Sequence, residues 1–142
     1  MTKKLYNFQH SPLSVARVRL ANGSNSSVGR IEVFARGSWG TVCDDDFDIS
    51  DANVFCRMLG FSGAQRVFCS AKPHGQGSGP IWINNLRCVG NEKSIDECPH
   101  NGTGRGNCTH REDVGVSCSP FNISLSPQPI TEPSTAGNKF LW

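Results

Sequence analysis

Seven cysteines fall between positions 43 and 118 of a 142-residue chain, and they constrain its fold more than any other feature. Hydrophobic residues make up only 37% of the sequence while glycine occupies 15 positions, so the core is thin and needs covalent staples. A cytosolic zinc protein would carry Cys-x-x-Cys pairs, and none occur; Cys88, Cys98, Cys108 and Cys118 stand ten residues apart. The cysteines therefore read as disulfides formed in an oxidising compartment. Sequence alone leaves many pairings open. If Cys43 and Cys108 are joined, the run Asp44-Asp45-Asp46 meets Glu112-Asp113. Clustered carboxylates repel one another unless a cation holds them, so a covalent frame of this kind also proposes a metal site.

The formal net charge of +2 is too even to argue for nucleic-acid binding. No apolar run reaches the length of a membrane-spanning helix, and Tyr6, Asn7, Gln9 and His10 interrupt any signal-peptide core after Lys3 and Lys4. An oxidised chain without a visible export signal reads as an extracellular fragment or internal module, with its signal or membrane anchor elsewhere. Sequons point the same way, with glycosylation expected at Asn22, Asn25, Asn101 and Asn122. A fifth, at Asn107, abuts Cys108 and is not expected to carry a glycan.

Residues 1–16 read as a leader or linker, 17–119 as the folded domain, and 120–142 as a Pro/Ser/Thr-rich tail or linker. Five short strands are signalled by alternation: around Val18 and Leu20, Ile31 to Ala35, Trp39 to Cys43, Ile81 to Ile83 and Val114 to Cys118. One helix follows Ser50, which is placed to cap it. Ala52, Phe55, Cys56 and Leu59 share a face, and Gly60 ends it. Lys93 to Glu97 suits a further turn. The expected class is α+β: a curved antiparallel β-sheet cradling one α-helix, stapled by disulfides.

Several segments occur in order: Gly29-Arg30-Ile31-Glu32-Val33, Trp39-Gly40-Thr41-Val42-Cys43-Asp44-Asp45, Val54-Phe55-Cys56-Arg57-Met58-Leu59-Gly60, Gly79-Pro80-Ile81-Trp82 and Cys108-Thr109-His110-Arg111-Glu112-Asp113-Val114-Gly115-Val116. Together they resemble the scavenger receptor cysteine-rich domain of the six-cysteine type. Phe61 to Cys98 is most similar to the macrophage class A scavenger receptors. The resemblance implies disulfides Cys43–Cys108, Cys56–Cys118 and Cys88–Cys98. Cys69 stands outside that pattern and is left unpaired, as a buried free thiol or as a bridge to another chain or domain.

The resemblance also implies that Asp44, Asp45 and Glu112 bind a divalent cation, Ca²⁺ or Mg²⁺, which suits hard carboxylate oxygens. Asp46 and Asp113 are secondary candidates, Asp113 more as a support for its own loop. A second cation position, seen in some members of the family, maps to Asn84, Asn85 and Asn107, which bring carbonyl oxygens but no charge. Arg111, next to Glu112, is the arginine best placed to meet an anionic ligand. No Gly-x-Ser-x-Gly or His-Glu-x-x-His motif occurs, so catalysis within the chain is not expected. The function implied is an extracellular module recognising polyanions: bacterial surface polymers, sulfated glycans or modified lipoproteins. The alternative is a non-catalytic accessory domain of a larger secreted enzyme, a serine protease or lysyl-oxidase-like protein.

Overall fold

The structure, a computed structural model, describes residues 13–101 and 107–119. The expected tail at 120–142, with Asn122, and most of the expected leader lie outside the described residues. Within them are six strands: β1 (Val15–Ala21), β2 (Val28–Ala35), β3 (Ser38–Val42), β4 (Ala64–Phe68), β5 (Ile81–Ile83) and β6 (Gly115–Cys118). One helix, α1 (Ile49–Met58), separates β3 from β4. The folded unit begins before Arg17, since Leu13 is in the core and Val15 already pairs with Ala35.

β2 is the trunk of the sheet, because its residues are paired on both edges. Arg30 pairs with Ala21 and Gly115, and Glu32 with Arg19 and Thr41. The order β4-β6-β2-β3-β5, with β1 on β2, curls around α1. Four pairings are antiparallel as expected, while β3 and β5 run parallel, making the sheet mixed. The parallel pair arises because the chain crosses α1 and β4 before returning as β5 beside β3. β4 gave no sequence signal: its register with β6 shifts at Ala64/Arg66, and exposed Gln65 and Arg66 break the alternation.

The helix starts at Asp48 and not at Ser50. Asp48 is extended, and its Oδ1 accepts from the backbone N–H of Ser50 at 3.0 Å and Asp51 at 3.2 Å. Asp51 Oδ2 accepts from Asp48 N–H at 2.9 Å, completing a reciprocal capping box. At the other end Gly60 N–H bonds Arg57 O and Phe61 N–H bonds Cys56 O, with Gly60 at φ 96°. A side chain there would be strained, which is why glycine ends the helix.

Ala52, Val54, Phe55 and Cys56 of α1 are buried with Ile31, Val33, Val42, Ile83, Leu86, Val114 and Val116. Truncating fully buried Phe55 to Ala is expected to cost roughly 3–5 kcal/mol. Cys56–Cys118 ties the helix to β6 across 62 residues. In the chain-entropy picture, closing a loop of that length contributes roughly 4 kcal/mol. Cys88–Cys98 closes a short loop holding a 3₁₀ turn, Ile95–Glu97, capped by Ser94.

Asp51 also holds that loop, accepting from Cys88 N–H at 2.6 Å. Burial pushes the Asp51 carboxyl up from 3.8 to about 6, against the backbone N–H groups of Cys88 and Asp48, which favour its charge. A raised carboxyl value means stability fully present below 3.8 and lost as pH rises through about 6. Titration of the carboxyl carbons by NMR is expected to place the Asp51 midpoint near 6, with chemical shifts in the 88–98 loop following it. An ordinary aspartate midpoint would contradict this.

Candidate functional site

The acidic corner is assembled by one disulfide and a short backbone ladder. Cys43 and Cys108 are bonded, with Cα atoms 6.2 Å apart. Asp44 N–H donates to Glu112 O at 2.8 Å, Val114 N–H donates to Val42 O at 3.0 Å, and Cys43 bridges Asp113. These bonds fix the end of β3 against the segment entering β6. A 3₁₀ turn, His110–Glu112, presents Glu112: Thr109 Oγ1 accepts from Arg111 N–H, and Glu112 Oε1 accepts from Thr109 N–H at 2.9 Å.

Asp44, Asp45 and Glu112 thereby converge, each with a carboxylate oxygen within 4.8 Å of the others and of Cys43 Sγ. That sulfur is spent in a disulfide, so the remaining donors are hard oxygens. Asp44 and Glu112 are half-buried and Asp45 is exposed. Among the described residues no lysine or arginine ion-pairs with any of the three. Burial first, and then the charges of Glu112, Asp45 and Asp113, push the Asp44 carboxyl up, while Ser70 N–H opposes them. A divalent cation between the three carboxylates would reverse that repulsion.

The secondary candidates do other work. Asp46 lies 3.7 Å from Arg87 and accepts from Asn85 Nδ2 at 2.9 Å. Asp113, 1% exposed, does not brace its own loop alone: Oδ2 accepts from Gly77 N–H at 2.7 Å and lies 2.9 Å from His110 Nδ1. His110 Nε2 in turn lies 2.9 Å from Gly79 O. Of the three asparagines, Asn84 is buried and its backbone pairs with Asn101; Asn85 is bonded to Asp46 and Asn101; Asn107 is exposed. The Asn85 amide is thus committed within the protein. Arg111 is exposed beside the corner.

Cys69 is unpaired and exposed at the end of β4, which removes the buried-thiol expectation. The neighbouring Ser70 is the contact that sequence reasoning missed: its N–H donates to Asp44 Oδ2 at 2.8 Å. Twenty-six residues separate them, and the pairing of β4 with β6, continued by Ala71 N–H on Asp113 O, brings them together. Asn22, Asn25 and Asn101 are exposed, as glycan acceptors must be.

A family model described as "Scavenger receptor cysteine-rich domain" matches residues 21–119. Lysyl oxidase homolog 4 of Bos taurus is 53% identical over 109 residues, 76% of this chain and 14% of that protein; the Homo sapiens protein is 52% identical over the same length. The match therefore spans about a seventh of those relatives' length. The third such domain of murine neurotrypsin is similar at 45% identity and TM-score 0.68, covering 74% of this chain and 96% of that one. The dimeric form of the domain from mouse MARCO is similar at 50% identity and TM-score 0.60, covering 72% and 95%.

Asp113 is the structural pin of the corner. Asp113→Ala leaves Gly77 N–H and His110 without their buried acceptor and is expected to cost on the order of 2–3 kcal/mol in chemical unfolding with disulfides intact. A change within about 0.5 kcal/mol would show that the pin carries no load.

Proposed function

The chain belongs to the scavenger receptor cysteine-rich domain family, and from that premise we propose that it is a non-catalytic extracellular module that recognises polyanions through a divalent cation. One observation carries the reading: Asp44, Asp45 and Glu112 are forced together and have no lysine or arginine counter-ion among the described residues. Their all-oxygen chemistry fits Ca²⁺ or Mg²⁺ better than a softer metal. When bound, such a cation supplies positive charge and open coordination positions for anionic oxygens.

The chain's own residues do the rest. Asp44 is fixed by Ser70 and by its backbone bond to Glu112, so it offers one carboxylate in a set orientation. Glu112 is fixed by Thr109, and Asp45 completes the set from the exposed side. Arg111 adds a solvent-facing positive charge beside them, suited to sulfate, phosphate or carboxylate groups. Bacterial surface polymers, sulfated glycans and modified lipoproteins present such groups in repeats. One site of this kind is weak, and repetition in an oligomeric or multidomain parent raises avidity. Endocytic clearance or innate recognition is the setting that suits such binding.

The identity to lysyl oxidase homolog 4 favours a second reading of the parent. In that reading the module is a non-catalytic accessory domain of a larger secreted enzyme, and the acidic corner serves to attach that enzyme to an anionic surface. A full-length transcript separates the two parents.

Calorimetric titration with Ca²⁺ is expected to show one site in the wild type and none in Glu112→Ala. Binding to immobilised dextran sulfate is expected to fall at least tenfold in EDTA and in Asp45→Ala, a loss of about 1.4 kcal/mol or more. Undiminished binding in EDTA would contradict the cation-dependent mechanism.

A further inference from the structure

A buried charge cluster lies on the outer face of β2. Arg30 and Glu32 alternate with Ile31 and face away from the core, yet they are only 7% and 6% exposed. Segment 70–79 lies over Arg30, whose Nε would stand 2.9 Å from a Cβ at Gly77, and Arg30 and Arg19 in turn hold Glu32. Arg30 Nε and Nη2 both donate to Glu32 Oε2, at 3.0 and 2.8 Å, and Arg19 takes Oε1. The remaining Arg30 nitrogen, Nη1, donates to the backbone oxygens of His74 at 2.8 Å and Gly75 at 3.2 Å. Asn22 Nδ2 reaches the same His74 oxygen at 3.4 Å.

The His74 ring is wedged under this covering segment. It stands edge-on to Phe68 with ring centroids 5.0 Å apart. It fills the space left by Gly115, where a Cβ would stand 2.6 Å from Nδ1. Among the described residues, the charged groups on the elements packed around it are cationic or engaged with other partners. β2 contributes the Arg30 guanidinium and Glu32, whose two oxygens are already engaged by Arg30 and Arg19. β4 contributes Arg66, stacked 4.6 Å over the far partner Phe68. β6 contributes uncharged Gly115, and the covering segment itself carries Lys72. Asp113, the buried carboxylate that the segment bonds through Gly77, is also engaged by His110.

We propose that His74 is the latch of a pH-sensitive clasp: protonation of its imidazole loosens segment 70–79 from β2 and withdraws the Ser70 amide from Asp44. A charged ring there sits against Arg30, half-wrapped by an aromatic edge and a glycine, without a free anion among the described residues to balance it. Burial first, and then Arg30, hold the His74 value below its ordinary 6.5. The sign follows: stability is full above 6.5 and is lost as pH falls through the depressed folded value. The segment is anchored at both ends to the acidic corner, through Ser70 to Asp44 and through Gly77 to Asp113. If the corner holds a cation as read above, loosening the segment also weakens ligand capture in mild acid; this consequence rests on that reading, while the clasp does not.

The test is amide exchange by ¹H–¹⁵N NMR in EDTA, without added divalent cation, between about pH 7.5 and about pH 5. After correction for intrinsic rates, protection at Ser70 and Gly77 is expected to fall roughly tenfold, with the midpoint of the His74 ring protons. His74→Gln and His74→Phe are expected to abolish that pH step. Protection unchanged to pH 5, or the same step in a folded His74 variant, would overturn the proposal. Should neither variant fold, the wild type alone decides, since amide and His74 ring midpoints that differ would overturn it. Because no cation is present, a failed calcium titration and a failed clasp remain separate results.

Discussion

Everything at the acidic corner depends on the Cys43–Cys108 bond and the backbone ladder that runs beside it. Sixty-five residues of chain separate the two cysteines, so an unfolded chain brings Asp44 near Glu112 only rarely. The disulfide removes that entropy, and Asp44 N–H to Glu112 O sets the register within it. What remains is a local electrostatic debt: carboxylates held closer than they would stay on their own. The raised value of Asp44 is its signature, with burial as the first cause and neighbouring acids adding to it. That crowding of Asp44, Asp45 and Glu112 is the observation on which the proposed cation site rests.

The corner is also not isolated. Segment 70–79 touches it through Ser70 and Gly77 and touches the outer face of β2 through His74 and Gly75. Arg30 is thus a mechanical link, and its pairing with Glu32 keeps its guanidinium aimed at the two carbonyls. Paired this way, the buried charges are satisfied; unpaired, either one would be costly. Two further groups titrate away from their ordinary values, Asp51 in the first turn of α1 and His74 in segment 70–79. They respond to pH in opposite senses, Asp51 losing stability as pH rises and His74 as it falls.

Much of this was legible in the sequence. The alternation at Ile31–Ala35 and Val114–Cys118, the glycine after Leu59 and the acidic pairs next to Cys43 and Cys108 all signal structures that form. The disulfide pairing came from family resemblance, since seven cysteines leave many arrangements open. Other features were hidden for physical reasons. Ser50 looks like a cap, but the chain turns two residues earlier, where Asp48 reaches both free N–H groups. β4 is a short edge strand with a register shift and polar residues, so its identity comes from pairing and not from periodicity. Glu32 reads as solvent-facing from alternation alone; it is buried in an ion pair with Arg30 and Arg19, and Arg30 two residues away on the same face was a signal available in advance. Ser70 on Asp44 is a contact of tertiary structure that no local pattern encodes.

The most direct measurement of the central claim is a crystal grown in calcium and measured at a long wavelength for anomalous signal. The account predicts one anomalous peak bounded by the carboxylates of Asp44, Asp45 and Glu112, beside an intact Cys43–Cys108 bond. Ordered carboxylates at that corner with no peak between them, or with an arginine or lysine filling the space, would contradict it.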